Sequence, residues 1–92
     1  MIRRAWFLNL DRDSARRAAM EATLASAGLD YERFPALGPD EIPEALLARF
    51  RRPGVLRPGE IGCFASHLAA LGRIAAEAPG WYAVFEDDVA LA

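Results

Sequence analysis

The sequence is poor in several residue types, and each scarcity excludes a class of protein. It contains no lysine, and its 11 basic residues are outnumbered by 13 acidic ones, which leaves a formal net charge of -2. This balance lacks the basic surface of a nucleic-acid binder, so we expect no nucleic-acid partner. The single cysteine, Cys63, cannot form an intrachain disulfide, which favours a reducing compartment and predicts a cytoplasmic location.

Long apolar runs are also missing. No stretch approaches the roughly 20 apolar residues of a transmembrane helix, and charged residues interrupt the N-terminal segment too early for a secretory signal. We therefore expect no membrane-spanning segment. With 92 residues, 53% of them hydrophobic, the chain can build one modest core and is best treated as a single unit.

The hydrophobic pattern predicts an α/β protein. Apolar runs at 5–8 and 81–85 lack polar alternation, which is typical of strands covered on both faces in a parallel sheet. A weaker extended segment at 29–37 contains Pro35, so we predict an edge strand there. The order strand, helix, weak strand, helices, strand indicates a mostly parallel sheet flanked by helices.

Three helices are predicted between these strands. The first follows N-cap candidates at 11–14, buries Met20, Leu24 and Ala27 on one face, and ends at Gly28. The second is short, at 44–50, and is expected to end in the Arg-Arg-Pro-Gly sequence at 51–54. The third spans 60–77. We expect this helix to be largely buried through an apolar face that contains these residues: Ile61, Phe64, Ala65, Leu68, Leu71, Gly72 and Ala75.

Three consecutive acids, Glu86, Asp87 and Asp88, follow the last strand directly. Three adjacent carboxylates repel one another, so the cluster needs water, an arginine or a metal cation. Because side chains alternate along an extended chain, Glu86 and Asp88 should face one way and Asp87 the other. The two carboxylates on one side, Glu86 and Asp88, make a suitable partial shell for a hard divalent ion such as Mg or Mn, with phosphate oxygens and water completing it. A solvated turn or a helix cap is the competing interpretation, and the tripeptide alone favours it.

Several other residues have both a structural and a functional interpretation. His67 lies one helical turn after Cys63 and two after Glu60, which could place a zinc ion there, but the spacing matches none of the common patterns and favours packing. His67 could also face a ligand cleft and meet a phosphate or carboxylate. Glycines at 59 and 62 leave backbone N–H groups free to meet an anion, although tight packing explains Gly62 equally well. Paired arginines such as Arg16 and Arg17 are interpreted as solvated faces.

Three segments together resemble glycosyltransferase family 25. The first, residues 7–13, reads FLNLDRD and is followed by Arg16 and Arg17. The second, residues 59–63, reads GEIGC and is followed by Ser66 and His67. The third, residues 84–89, reads VFEDDV and contains the acidic cluster. Their order and spacing cover nearly the whole chain.

This resemblance implies a partial GT-A fold, the fold of nucleotide-diphospho-sugar transferases. It places a Mn or Mg ion and the donor diphosphate at Glu86, Asp87 and Asp88, which makes the metal interpretation the favoured one. It also implies a metal-dependent transfer of a hexose, galactose by analogy, from a UDP-sugar to a lipopolysaccharide or other cell-surface glycan acceptor. The donor-binding residues that it implies are Asn9, Leu10, Asp11, Arg12, Glu60, Ser66 and His67.

The resemblance also leads to expectations about the extent of the domain and about its partners. Family domains are longer, so we expect residues 1–92 to be the N-terminal, donor-binding part of a truncated domain, and we nominate no catalytic base. A non-catalytic nucleotide-binding or interaction module of the same fold is the alternative function. A flavodoxin-like signalling domain is a weaker alternative, since it would need a lysine beside a phosphoacceptor aspartate. A half sheet with apolar edges predicts self-association, and peripheral membrane association is compatible with such an acceptor.

Overall fold

The computed structural model describes residues 1–50 and 57–90, apart from the side chains of Phe50 and Pro58. Within these residues the elements are the following: β1 Ile2–Asn9, α1 Ser14–Ser26, β2 Tyr31–Pro35, a 3-10 turn Pro39–Glu41, α2 Glu44–Leu47, a 3-10 turn Ala48–Phe50, α3 Pro58–Ala75 and β3 Trp81–Glu86. The predicted α/β architecture is confirmed. The expected helix end at 51–54 lies outside the described residues.

The described strands form one parallel sheet in the order β2-β1-β3. β1 is central, and its last five residues, 5–9, are all buried. Both neighbours are reached through a helical crossover, which parallel pairing requires. As predicted, β2 with its terminal Pro35 lies at an edge. In the other pairing Leu8 lies opposite Glu86, so β1 and β3 end side by side.

The core lies mainly between the sheet and α1. Ala5 and Phe7 of β1 pack there with Met20 and Leu24 of α1, and all four are at most 1% exposed. The intervening strand residues point to the other face, where α3 packs on β1 and β3. Gly28, with φ +72, ends the turn after α1, as predicted. Ala27 was wrongly predicted to be buried, because at the C-cap position it lies beyond the last turn that the sheet covers.

The prediction that α3 is largely buried is wrong. Leu68 and Leu71 are 46% and 55% exposed, and Phe64 is 45% exposed. The buried face is narrower and made mostly of small residues: Ile61, Gly62, Ala65, Ser66 and Ala70. A sheet of three described strands is too narrow to cover the broad apolar face of an 18-residue helix.

β3 also differs from the expected core strand. Its four central residues are only half-buried, and Trp81 at its start is 75% exposed. The reason is its position, because it pairs with β1 alone among the described strands. None of the helices within residues 1–50 and 57–90 combines the length and the apolar character needed to cross a membrane.

Candidate functional site

The candidate site lies where β1 and β3 end. Parallel neighbouring strands present their carboxyl ends at one edge of the sheet, and ligands of open α/β sheets bind beyond that edge. Asn9 ends β1, while Glu86 ends β3 and is followed by a turn at Asp87 and Asp88. The register brings into contact the polar ends of two strands, where Asn9 and Asp87 are 78 residues apart in sequence.

Asn9 is the buried centre of this edge. Its side chain is 1% exposed, and its amide Nδ2 donates to Asp87 Oδ2 at 2.8 Å and to the Asp13 carbonyl at 3.1 Å. Its Oδ1 accepts a hydrogen bond from Arg33 Nε at 2.9 Å. Both amide hydrogens and the carbonyl oxygen are thus engaged, so Asn9 is a positioning residue that fixes the Asp87 carboxylate.

Two arginines surround this network. Arg33 of β2 also donates to the Asn9 backbone carbonyl at 2.9 Å and to Asp11 Oδ1 at 2.6 Å, which ties the segment after β1 to the neighbouring strand. Arg16 of α1 lies 3.6 Å from Asp87 Oδ1, and its side chain remains 61% exposed. One Asp87 oxygen is therefore bound by the buried amide, and the other faces the exposed guanidinium of Arg16.

Glu86 turns to the opposite face of the sheet, towards α3. Its Oε1 accepts a hydrogen bond from Cys63 Sγ at 2.9 Å and lies 3.7 Å from His67 Nε2. The hydrogen bond to Glu86, with partial burial and the nearby carboxylates, raises the pKa of the Cys63 thiol to about 11. The same bond, assisted by His67, lowers the pKa of Glu86 against a smaller opposing effect of burial. The separation of Glu86 and Asp87 onto two faces agrees with the alternation predicted from sequence.

Ser66 and Gly62 hold α3 against the segment that follows β2. Ser66, 1% exposed, accepts a hydrogen bond from the Leu37 N–H at 2.8 Å and donates to the Gly62 carbonyl at 2.7 Å. A Cβ on Gly62 would lie 2.8 Å from the Leu37 carbonyl oxygen, so only glycine permits this approach. These contacts support the packing interpretation of Gly62, and they give Ser66 a bracing role.

These elements enclose a cleft of about 210 Å³ beyond the strand ends. Its walls include carboxylates, one arginine and several apolar side chains. The lining residues are Leu8, Leu10, Asp13, Arg16, Ala36, Leu37, Gly59, Cys63, Ser66, Glu86, Asp87 and Asp88. The whole acidic cluster therefore faces one cavity, with Arg16 at its margin.

The remaining residues predicted to bind the donor lie around this cleft. Leu10 also lines an adjoining depression of about 300 Å³, together with Asp11 and Arg12. Glu60 is exposed, and its carboxylate accepts a 3.4 Å hydrogen bond from the Arg57 N–H at the start of α3. His67 contacts Glu86. The structure thus brings Leu10, Ser66 and the acids into the lining of one cleft. The predicted donor-binding residues that lie outside this lining are Asn9, Asp11, Arg12, Glu60 and His67.

The acidic cluster has donors suited to a hard cation, although its three carboxylates do not converge on one point. Asp88 is exposed and makes no hydrogen bond or ion pair with the rest of the described chain. Asp87 is anchored by Asn9 but retains lone pairs that face the cleft. An Mg or Mn ion typically binds one or two protein carboxylates together with phosphate oxygens, so Asp87 and Asp88 fit this role.

Sequence reasoning missed three residues of the site. Arg33 lies in a weakly patterned strand, and no local signal marks its contact with Asn9. Arg16 was assigned to a solvated face, and only the packing of α1 places it beside Asp87. Cys63 was interpreted as packing, yet it is exposed and lines the cleft.

The structure combines a parallel sheet flanked by helices with an acidic cleft beyond the strand ends. This arrangement is consistent with part of a nucleotide-sugar transferase fold. Comparison with known sequences identifies the family. The model of glycosyltransferase family 25 (LPS biosynthesis protein) matches residues 3–92. The chain therefore belongs to glycosyltransferase family 25.

Two curated relatives illustrate the match. The chain is 36% identical over 89 residues to the lacto-N-neotetraose biosynthesis glycosyltransferase LgtB of Neisseria gonorrhoeae. The matched region covers 91% of this chain and 32% of that protein. It is 32% identical over 95 residues to a glycosyltransferase 25 family member of Anopheles gambiae, covering 91% of this chain and 16% of the relative. The chain thus spans about a third of the length of the first relative and about a sixth of the length of the second.

Proposed function

We propose that this chain forms the donor-binding part of an enzyme that transfers a hexose, galactose by analogy, from a UDP-sugar to a lipopolysaccharide or other cell-surface glycan. Membership of the family supports sugar transfer in general. The observation that carries the proposal is the Asn9–Asp87 hydrogen bond, which joins the ends of β1 and β3 and fixes a carboxylate at the cleft. Strand ends of this kind are where α/β proteins bind nucleotides.

The cleft has the charges that a nucleoside diphosphate requires. Asp87 and Asp88 would hold a Mn or Mg ion, with Glu86 beside them at the cleft wall. When bound, such a cation supplies positive charge that stabilises the departing diphosphate. Arg16 is exposed and only 3.6 Å from Asp87, so it can turn from that carboxylate to a phosphate oxygen.

The apolar wall of the cleft suits the uncharged parts of the donor. Leu8, Leu10 and Leu37 line the cleft together with the acids. Leu10, Asp11 and Arg12 continue into the adjoining depression, which extends the surface available to a nucleoside. Asn9 acts indirectly, through the position of Asp87, because its hydrogen-bonding groups are already used.

Thermal unfolding with UDP and Mn tests the binding step. A ligand present at 100 times its Kd stabilises the native state by about 2.7 kcal/mol, which corresponds to roughly 10–20 °C for a domain of this size. We expect a rise in Tm with UDP and Mn together, and its loss in the double variant Asp87→Asn, Asp88→Asn. Glu21→Gln, which removes a partly exposed acid paired with Arg17 on α1, is the matched control and should retain the shift. A shift that survives in the double variant contradicts the proposal.

Turnover separates the enzyme from a non-catalytic nucleotide-binding module. The chain covers about a third of a bacterial relative, so the module remains the second candidate. Release of UDP from a UDP-sugar in the presence of acceptor would reject the module. Binding of UDP and Mn without release would reject catalysis by this chain and support the module.

A further inference from the structure

Cys63, His67 and Glu86 form a cluster that the proposed sugar transfer does not require. Their sulfur, nitrogen and oxygen atoms all lie within 4.8 Å of one another. Cys63 and His67 are one turn apart on α3, at positions i and i+4, and so share one face of the helix. Glu86 comes from the end of β3 and completes the group from the opposite side.

The distances are close to those of a zinc site. Zinc binds cysteine sulfur at about 2.3 Å and histidine nitrogen or carboxylate oxygen at about 2.0–2.2 Å, so tetrahedral ligand atoms are about 3.3–3.7 Å apart. His67 Nε2 is already 3.7 Å from Glu86 Oε1. Cys63 Sγ, at 2.9 Å from the same oxygen, would need to move by roughly 0.5 Å. The three ligand atoms lie within 4.8 Å of one another, so Cys63 Sγ and His67 Nε2 would also have to come to about 3.3–3.7 Å on binding the ion.

The chemistry of the ligands selects the metal. A thiolate and an imidazole together suit zinc, whereas Mg and Mn prefer oxygen ligands. One thiolate and one carboxylate also neutralise the charge of a divalent ion. Two ligands one helical turn apart are a recurrent zinc-binding arrangement, as in the two histidines of zinc metalloproteases. The spacing of Cys63 and His67 alone favoured packing; the position of Glu86, which the sequence does not reveal, adds the third ligand.

We propose that Cys63 Sγ, His67 Nε2 and a Glu86 carboxylate oxygen bind a zinc ion, with a fourth position open to water. On binding, the thiol proton passes to solvent and no group is oxidised or reduced. The ion links the middle of α3 to the end of β3 and thereby fixes one wall of the cleft. Glu86 then serves this site, and the donor cation is left to Asp87 and Asp88. The zinc proposal is independent of nucleotide binding.

Metal titration of the whole chain, without nucleotide, tests the proposal. Calorimetry with zinc chloride should give one ion per chain. Cobalt substitution should produce the near-ultraviolet absorption of a cobalt–thiolate bond, and X-ray absorption of the zinc form should show one sulfur neighbour at about 2.3 Å. A site with oxygen ligands alone gives no thiolate absorption, so the cobalt spectrum distinguishes the cluster from the donor site.

Single variants then assign the ligands. Cys63→Ser should abolish the thiolate absorption, and His67→Gln and Glu86→Gln should each weaken zinc binding at least tenfold. Glu77→Gln, just beyond the end of α3, is the control and should bind as the parent does. Circular dichroism of each metal-free variant verifies folding; if one does not fold, the parent spectra decide. No zinc binding at millimolar concentration, a cobalt spectrum without sulfur, or unchanged affinity in folded Cys63→Ser overturns the proposal.

Discussion

Replacing Asn9 by leucine removes the side-chain hydrogen bonds that link the end of β1 to Asp87 after β3 and to Arg33 of β2. The side chain makes three hydrogen bonds, of which those to Asp87 and from Arg33 involve an ionised partner. A hydrogen bond to a charged group contributes about 1.5–3 kcal/mol net. Because Asp87 and Arg33 are 12% and 16% exposed, water can replace only part of what is lost. We therefore expect the free energy of unfolding to fall by about 2–4 kcal/mol.

Urea unfolding followed by far-ultraviolet circular dichroism measures this change. The expected loss is a large fraction of the 5–15 kcal/mol that is typical of a domain, and it lowers Tm by roughly 10–25 °C. Thr23→Val is the control, because it removes a single hydrogen bond, from Thr23 Oγ1 to the Ala19 carbonyl, on the outer part of α1. That variant should stay within about 0.5 kcal/mol of the parent. A similarly small loss for Asn9→Leu would refute the role assigned to Asn9.

Two further predictions follow from α3. Gly62→Ala should destabilise the chain by about 1–3 kcal/mol through its contact with the Leu37 carbonyl, whereas Gly72→Ala in the same helix meets no atom within 4 Å and should be neutral or stabilising by up to about 1 kcal/mol in urea unfolding. Equal effects of the two substitutions would contradict the close approach of α3. In the metal-free chain, Cys63 should be alkylated by iodoacetamide with a midpoint near pH 11, above the ordinary thiol value of 9.0. Because the folded pKa is raised, this thiol stabilises the fold below pH 9.0, and the contribution is lost as the pH rises towards 11. Glu86→Gln should lower the alkylation midpoint, and an unchanged midpoint would exclude the Cys63–Glu86 hydrogen bond.

The sequence predicts the elements of this fold well because their signals are local. The apolar run of β1, the Met20 and Leu24 spacing of α1 and the stop at Gly28 all depend on neighbouring residues, and all are confirmed. The burial of a side chain depends less on its neighbours in sequence than the type of element does. Leu68 and Leu71 were expected to be covered, but burial depends on how many strands lie beneath α3, which its own sequence does not encode.

The candidate site also has one part that the sequence predicts and one part that depends on how distant elements pack. The acids at the end of β3 and Asn9 at the end of β1 could be placed at one edge of the sheet, because parallel strands end together. Which side chains touch there could not be predicted. The contact of Arg33 with Asn9 depends on the β1–β2 register, and the contact of Glu86 with Cys63 depends on the position of α3 over β3. The roles proposed for Leu10, Asp11 and Arg12 in donor binding stay predictions.

The most direct test of the central claim is to locate a bound paramagnetic ion. In nuclear magnetic resonance spectra of the chain with UDP, substoichiometric Mn should broaden the amide signals of Leu10, Asp87 and Asp88 first, since these residues border the cleft. Signals at Trp81, at the opposite end of β3, should remain sharp. Broadening that spares Asp87 and Asp88, or that is centred on another acidic surface, would contradict a donor cation at the ends of β1 and β3.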